Sequence, residues 1–151
     1  MSRRLAAAVV CLAISLTGCR SAADAPTPAP PARIELGSGS FDAIAQRAAT
    51  AMADSGILSA RALRVEALDR RYLVRLPPSA RGGSRAQADF QAILERALVG
   101  TGRFLLVDDV GAPEVRAQVS GRLGAEEARI LVLSAEGAEW LDLRALLRPP
   151  H

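Results

Sequence analysis

The sequence predicts an α+β fold over residues 41–148: a small, mainly antiparallel sheet with two helices packed on one face. Two stretches repeat apolar residues at helical spacing, and the segments between and after them alternate or run apolar over strand lengths. A third sign is Glu136-Gly137, a short turn between two apolar runs, which reads as a hairpin. At 151 residues the chain has room for one domain with a modest core.

Taken in order, "FDAIAQRAATAMADS" from Phe41 places Ile44, Ala48 and Met52 at steps of four, with Ala45 and Ala49 beside them. This predicts a helix with Asp42 as N-cap and Gly56 as its stop, its alanine-rich face suited to close packing on a sheet. "ALRVEAL" from Ala62 and "RYLVRL" from Arg71 predict two strands, and Pro77-Pro78 with Gly82-Gly83 mark a loop. Ser84 and Gln87 fit a capping box for a second helix, whose core positions are Phe90, Ile93, Leu94, Ala97 and Leu98 and whose stop is Gly100. "RFLLVD" from Arg103 is apolar on both faces and predicts a central strand. "EVRAQVSGRL" from Glu114 alternates, so one face of its sheet is wet. "ARILVLS" and "AEWLDLRALL" form the hairpin, with Trp140 anchoring it to the core.

The N-terminus has a different organisation. Arg3 and Arg4 precede the twelve-residue apolar run "LAAAVVCLAISL", Leu5 to Leu16. That run is shorter than the ~20 residues that span a bilayer as a helix, so residues 1–18 read as a secretory signal. The segment closes on Leu16-Thr17-Gly18-Cys19, which closely resembles the lipobox of bacterial lipoproteins. The resemblance implies cleavage after Gly18 and a lipid on Cys19. It also implies retention in the outer membrane facing the periplasm, because Arg20 stands where an aspartate would hold the protein in the inner membrane. Cys11 leaves with the signal, so no disulfide or cysteine-metal site is expected. Residues 19–40, rich in Pro, Ala, Ser and Gly, read as a tether reaching about 65 Å at full extension. Residues 149–151 read as a disordered tail.

From Cys19 onward the chain carries 17 arginines against 16 acidic residues, so its apparent basicity largely leaves with the signal. With few aromatics and no basic stripe, nucleic-acid binding is not expected. The sole histidine is the terminal His151. No histidine-based triad or zinc site can be built, and no catalytic residue, metal or cofactor is assigned. Asp108-Asp109 reads as a strand-end turn, because adjacent strand residues point to opposite faces. Gly100-Thr101-Gly102 and Arg81-Gly82-Gly83 lack a phosphate-loop lysine and read as turns. Asp69-Arg70-Arg71-Tyr72 is either a partner contact, since Arg and Tyr are enriched at interface hot spots, or a solvated turn.

"RVEALDRR" from Arg64, "FQAILERALVGTGRFLLVDD" from Phe90, "VSGRL" from Val119 and "EGAEWLDL" from Glu136 together resemble the LpoB family of penicillin-binding protein activators. The similarity to the periplasmic fold of CsgG-like secretion lipoproteins is more distant. The chain departs from the LpoB pattern at Arg70, where that family has an asparagine, and at Val110–Pro113, where it generally has another helix. The resemblance implies a non-enzymatic outer-membrane lipoprotein that binds and activates a periplasmic peptidoglycan synthase, a class A penicillin-binding protein. Two alternatives stand beside it: a structural or secretion-assembly lipoprotein of CsgG-like type, and a periplasmic small-molecule-binding lipoprotein.

Overall fold

The computed structural model describes residues 29–61, 70–77, 83–107 and 115–148. Its elements follow the order β1 (Ala32–Gly39), α1 (Phe41–Asp54), α2 (Ile57–Ala60), β2 (Tyr72–Arg75), α3 (Arg85–Gly100), β3 (Phe104–Val107), β4 (Ala117–Leu123), β5 (Glu127–Ser134) and β6 (Glu139–Leu147). The six strands form one sheet in the order β1-β6-β5-β4-β2-β3.

The α+β class stands. The sheet itself is mixed: β4, β5 and β6 are antiparallel neighbours, whereas β1 runs parallel to β6, and β2 runs parallel to both β3 and β4. The reason is connectivity, because α1 and α3 each return the chain before the next strand is laid down, and a helical return permits parallel pairing.

The largest departure from the sequence reading is β1, which takes Ala32–Gly39 out of the predicted tether and into the sheet edge. Leu36 enters the core from this strand. Gly37, at φ +75°, absorbs a register shift between Glu35 and Ser38, a backbone conformation glycine adopts without strain. Arg47 of α1 fastens the irregular stretch, donating from its guanidinium to the Leu36 and Ser38 carbonyl oxygens.

Both longer helices pack on one sheet face. Ile44, Ala45, Ala48, Ala49 and Met52 of α1, with Phe90, Leu94, Ala97 and Leu98 of α3, are buried against Val119, Ile130, Val132, Leu141 and Leu143. Phe41 and Phe90 join the helices edge to face at 5.5 Å. Gly121 lets α3 come close, since a Cβ there would lie 3.0 Å from Phe90 Cε1.

Four local expectations shift. The N-cap of α1 is Ser40, whose hydroxyl accepts the Ala43 N–H, and Asp42 lies in the first turn. Ser84 does cap α3 by accepting the Gln87 N–H, but the Gln87 side chain does not reach back. It crosses to β4, donating to the Gly121 carbonyl and accepting the Leu123 N–H. Gly100 closes α3, and the left-handed residue is Gly102, at φ +68°. β3 lies at the sheet edge instead of its centre, with Leu105 exposed. The strand expected from Ala62 falls outside the described residues.

Candidate functional site

The parallel strands β1, β2, β3 and β4 all begin at one end of the sheet, and the β5–β6 turn lies at that same end. The turn closes through Gly137, at φ +90°, whose N–H donates to the Ser134 carbonyl, while the Ser134 hydroxyl accepts the Ala138 N–H. Past the turn, Val132 pairs with Leu141 and Leu133 with Glu139, so Trp140 is an extra residue on β6. This bulge takes Trp140 out of the regular alternation and lets it pack against the core as a half-buried side chain.

Gly56, at φ +69°, turns the chain out of α1 into the single turn of α2, which ends at Arg61. The Arg61 guanidinium carbon lies 5.1 Å from the Trp140 ring centroid, a cation-π contact. Open depressions flank this stack. One, of about 260 Å³, is mainly apolar and lined by Ala29, Pro30, Ile57 and Ala60 beside the stack. The other, of about 400 Å³, is lined by Val115, Arg116, Ala135 and Glu136 beside the same two residues. Arg116 is held there by its carbonyl, which accepts the Ala135 N–H at 2.9 Å.

Tyr72 continues the surface inward. Its hydroxyl and that of Ser59, in α2, share a 2.6 Å hydrogen bond, and its backbone N–H donates to the Arg103 carbonyl. The ring packs on Phe104 at 5.7 Å, and the Arg103 guanidinium carbon lies 6.0 Å from its centroid.

The predicted partner cluster is therefore divided. Tyr72 is 1% exposed and is a core residue, because its position opposite Phe104 turns the ring toward the helices. It supports Arg103 and Ser59 from beneath and does not itself present a contact surface. Arg70 is exposed at φ +51°, the left-handed region, and Arg71 is half-buried. Asp69 lies outside the described residues, as do Leu16, Thr17, Gly18 and Cys19. Among the described residues Arg61, Arg70, Arg103 and Arg116 make no ion pair with a carboxylate.

The sheet face opposite the helices carries a second charged group whose members satisfy one another. Asp142 on β6 is fully buried and accepts two bonds from Arg129, at 2.8 and 3.0 Å, and two from Arg144, at 3.2 and 3.0 Å. Arg33 approaches it at 3.8 Å, Glu139 pairs with Arg129 at 3.5 Å and Glu127 with Arg144 at 3.9 Å. The hydrogen bonds from Arg129, reinforced by those from Arg144, hold the Asp142 carboxyl at about 2 despite its burial. The same bonds raise both guanidiniums above their ordinary value. Arg129 and Arg144 face each other directly across β5 and β6, a like-charge pairing that Asp142 offsets. This group is a clasp for β1, β5 and β6.

The described residues contain no cluster of three His, Cys, Asp or Glu side chains placed to hold a metal ion. No helix among them is long and apolar enough to cross a membrane. Comparisons of the chain with known protein families, with curated proteins and with solved structures find no match.

Proposed function

We propose that this chain is an outer-membrane lipoprotein, anchored through Cys19, whose domain binds and activates a periplasmic peptidoglycan synthase of the class A penicillin-binding type. The observation that supports binding is the Arg61–Trp140 stack, set between two open depressions, with the Arg61 and Arg116 guanidiniums making no ion pair among the described residues. Trp and Arg are the residue types that most often carry the energy of a protein interface, and a shallow surface suits a protein partner better than an engulfed metabolite. The synthase as partner rests on the phrases shared with the LpoB family, above all "FQAILERALVGTGRFLLVDD" and "EGAEWLDL". Activation would work by differential binding: the lipoprotein favours the synthase conformation that polymerises glycan, so the population shifts toward it.

The test is glycan-chain synthesis by a class A penicillin-binding protein from the same envelope, with and without the full lipidated chain in detergent. A rise in rate that saturates with the lipoprotein is expected, and no rate change together with no co-sedimentation ends the reading. Self-assembly into rings in the same sedimentation run would favour the CsgG-like alternative.

A further inference from the structure

We infer that the Arg61–Trp140 surface receives an acidic segment of a partner protein, laid across both depressions with an apolar side chain on one side and carboxylates on the other. This rests on the partner-binding reading above and gives the chemistry of the partner.

The two depressions differ in kind. Ile57, Ala60, Ala29 and Pro30 make the smaller one apolar, whereas Arg61 and Arg116 give the larger one two guanidiniums. Glu136 also lines the larger one and is the carboxylate that faces these cations from the hairpin turn, yet it forms an ion pair with neither. Glu139, which lines the smaller depression, is engaged with Arg129 at 3.5 Å. Arg70 and Arg103 lie at the starts of β2 and β3, at the same end of the sheet, so among the described residues this end carries more guanidiniums than carboxylates. Elsewhere Arg33, Arg129 and Arg144 share Asp142, and Arg85 reaches Asp89. Guanidiniums take carboxylates through two parallel N–H donors, and Arg61, 5.1 Å over the Trp140 ring, makes no ion pair among the described residues. Both depressions are open and share the Arg61–Trp140 wall, a form that fits an extended chain crossing the wall. An isologous second copy is disfavoured, because it would bring the same cationic surface against itself.

The experiment titrates the full chain in detergent with a short synthetic peptide carrying one leucine followed by a run of aspartates. Trp140 is the sole tryptophan, so its fluorescence reports occupancy directly. Saturable binding is expected, weakened by added salt and by at least about tenfold in Arg61→Glu and in Arg116→Glu. Arg122→Glu, a charge reversal at the far end of β4, is expected to leave binding unchanged, and circular dichroism checks that each variant is folded. Two controls replace the aspartates by asparagines and the leucine by glycine, and each should bind at least about tenfold more weakly. Equal binding of the aspartate and asparagine peptides overturns the inference, as does no binding at all. Sedimentation with phosphatidylglycerol vesicles lost in the same variants, without peptide binding, would also overturn it and assign the surface to a membrane. The synthase assay is independent of this titration: activation without peptide binding sinks the inference alone, and peptide binding without activation sinks the synthase reading alone.

Discussion

Gln87 and Leu123 meet across the helix-sheet interface: the amide oxygen of Gln87 accepts the Leu123 N–H at 2.8 Å, while its nitrogen donates to the Gly121 carbonyl at 2.7 Å. One side chain at the start of α3 thus pairs two backbone groups of β4 and sets where the helix lies on the strand. Gln87→Leu leaves both groups without that partner. It is expected to cost about 1–3 kcal/mol, seen as a lower urea midpoint at unchanged slope.

Gly121 lies at the same contact. Phe90 is fully buried and held edge to face by Phe41, so its ring has little freedom to retreat from a new methyl group 3.0 Å away. Gly121→Ala is expected to destabilise the fold by about 1–2 kcal/mol, read as a fall in Tm. Adding Phe90→Leu should recover part of that loss through a non-additive pair, and strict additivity of the two changes would disprove the contact.

Asp142 links stability to pH. Its carboxyl is held at about 2 in the folded chain, below its ordinary value of 3.8, so the folded state binds the proton more weakly. The stabilisation is fully present above about pH 4 and is lost as the pH falls toward 2, on the order of 2 kcal/mol in all. Asp142→Asn should flatten that limb of a urea-midpoint profile. It should also lower stability at neutral pH by about 3 kcal/mol, because Arg129 and Arg144 would then face each other without the carboxylate between them.

β1 sets the boundary of the folding unit. A fragment covering 41–148 lacks Leu36 in the core, the two carbonyl oxygens that receive Arg47, and Arg33 beside Asp142. That fragment is expected to melt without a cooperative transition, whereas one covering 29–148 should melt as a single unit in calorimetry.

The helices were legible because their evidence in the sequence is local. Ile44, Ala48 and Met52 at steps of four, and Phe90, Leu94, Ala97 and Leu98, needed no partner to be recognised, and the hairpin around Gly137 announced itself over a few residues. β1 was hidden because "ARIELGSG" follows a proline-rich run, carries two glycines and earns its strand only by pairing with β6, more than a hundred residues later. β3 misled by composition: Leu105 makes the strand apolar on both sides, yet its strand sits at an edge. The candidate site was the least legible part. Arg61, Arg116 and Trp140 are far apart in sequence, and only the strand order brings them to one wall. Arg70 lay in a segment already singled out, but Tyr72 beside it is spent on the core.

The strand at the sheet edge also changes the geometry of mooring. Because β1 starts at Ala32, a lipid on Cys19, if present as proposed, would be separated from the sheet by residues 20–31 alone, whose length at full extension is about 37 Å and not 65 Å. That segment would join the domain at Ala29 and Pro30, which line the same depression as Arg61 and Trp140. The domain would then sample a shallow layer of the periplasm, and a receptor embedded in the same membrane would meet it at an effective concentration on the order of millimolar. A receptor whose acidic segment stands farther out would have to bend that segment inward to be reached.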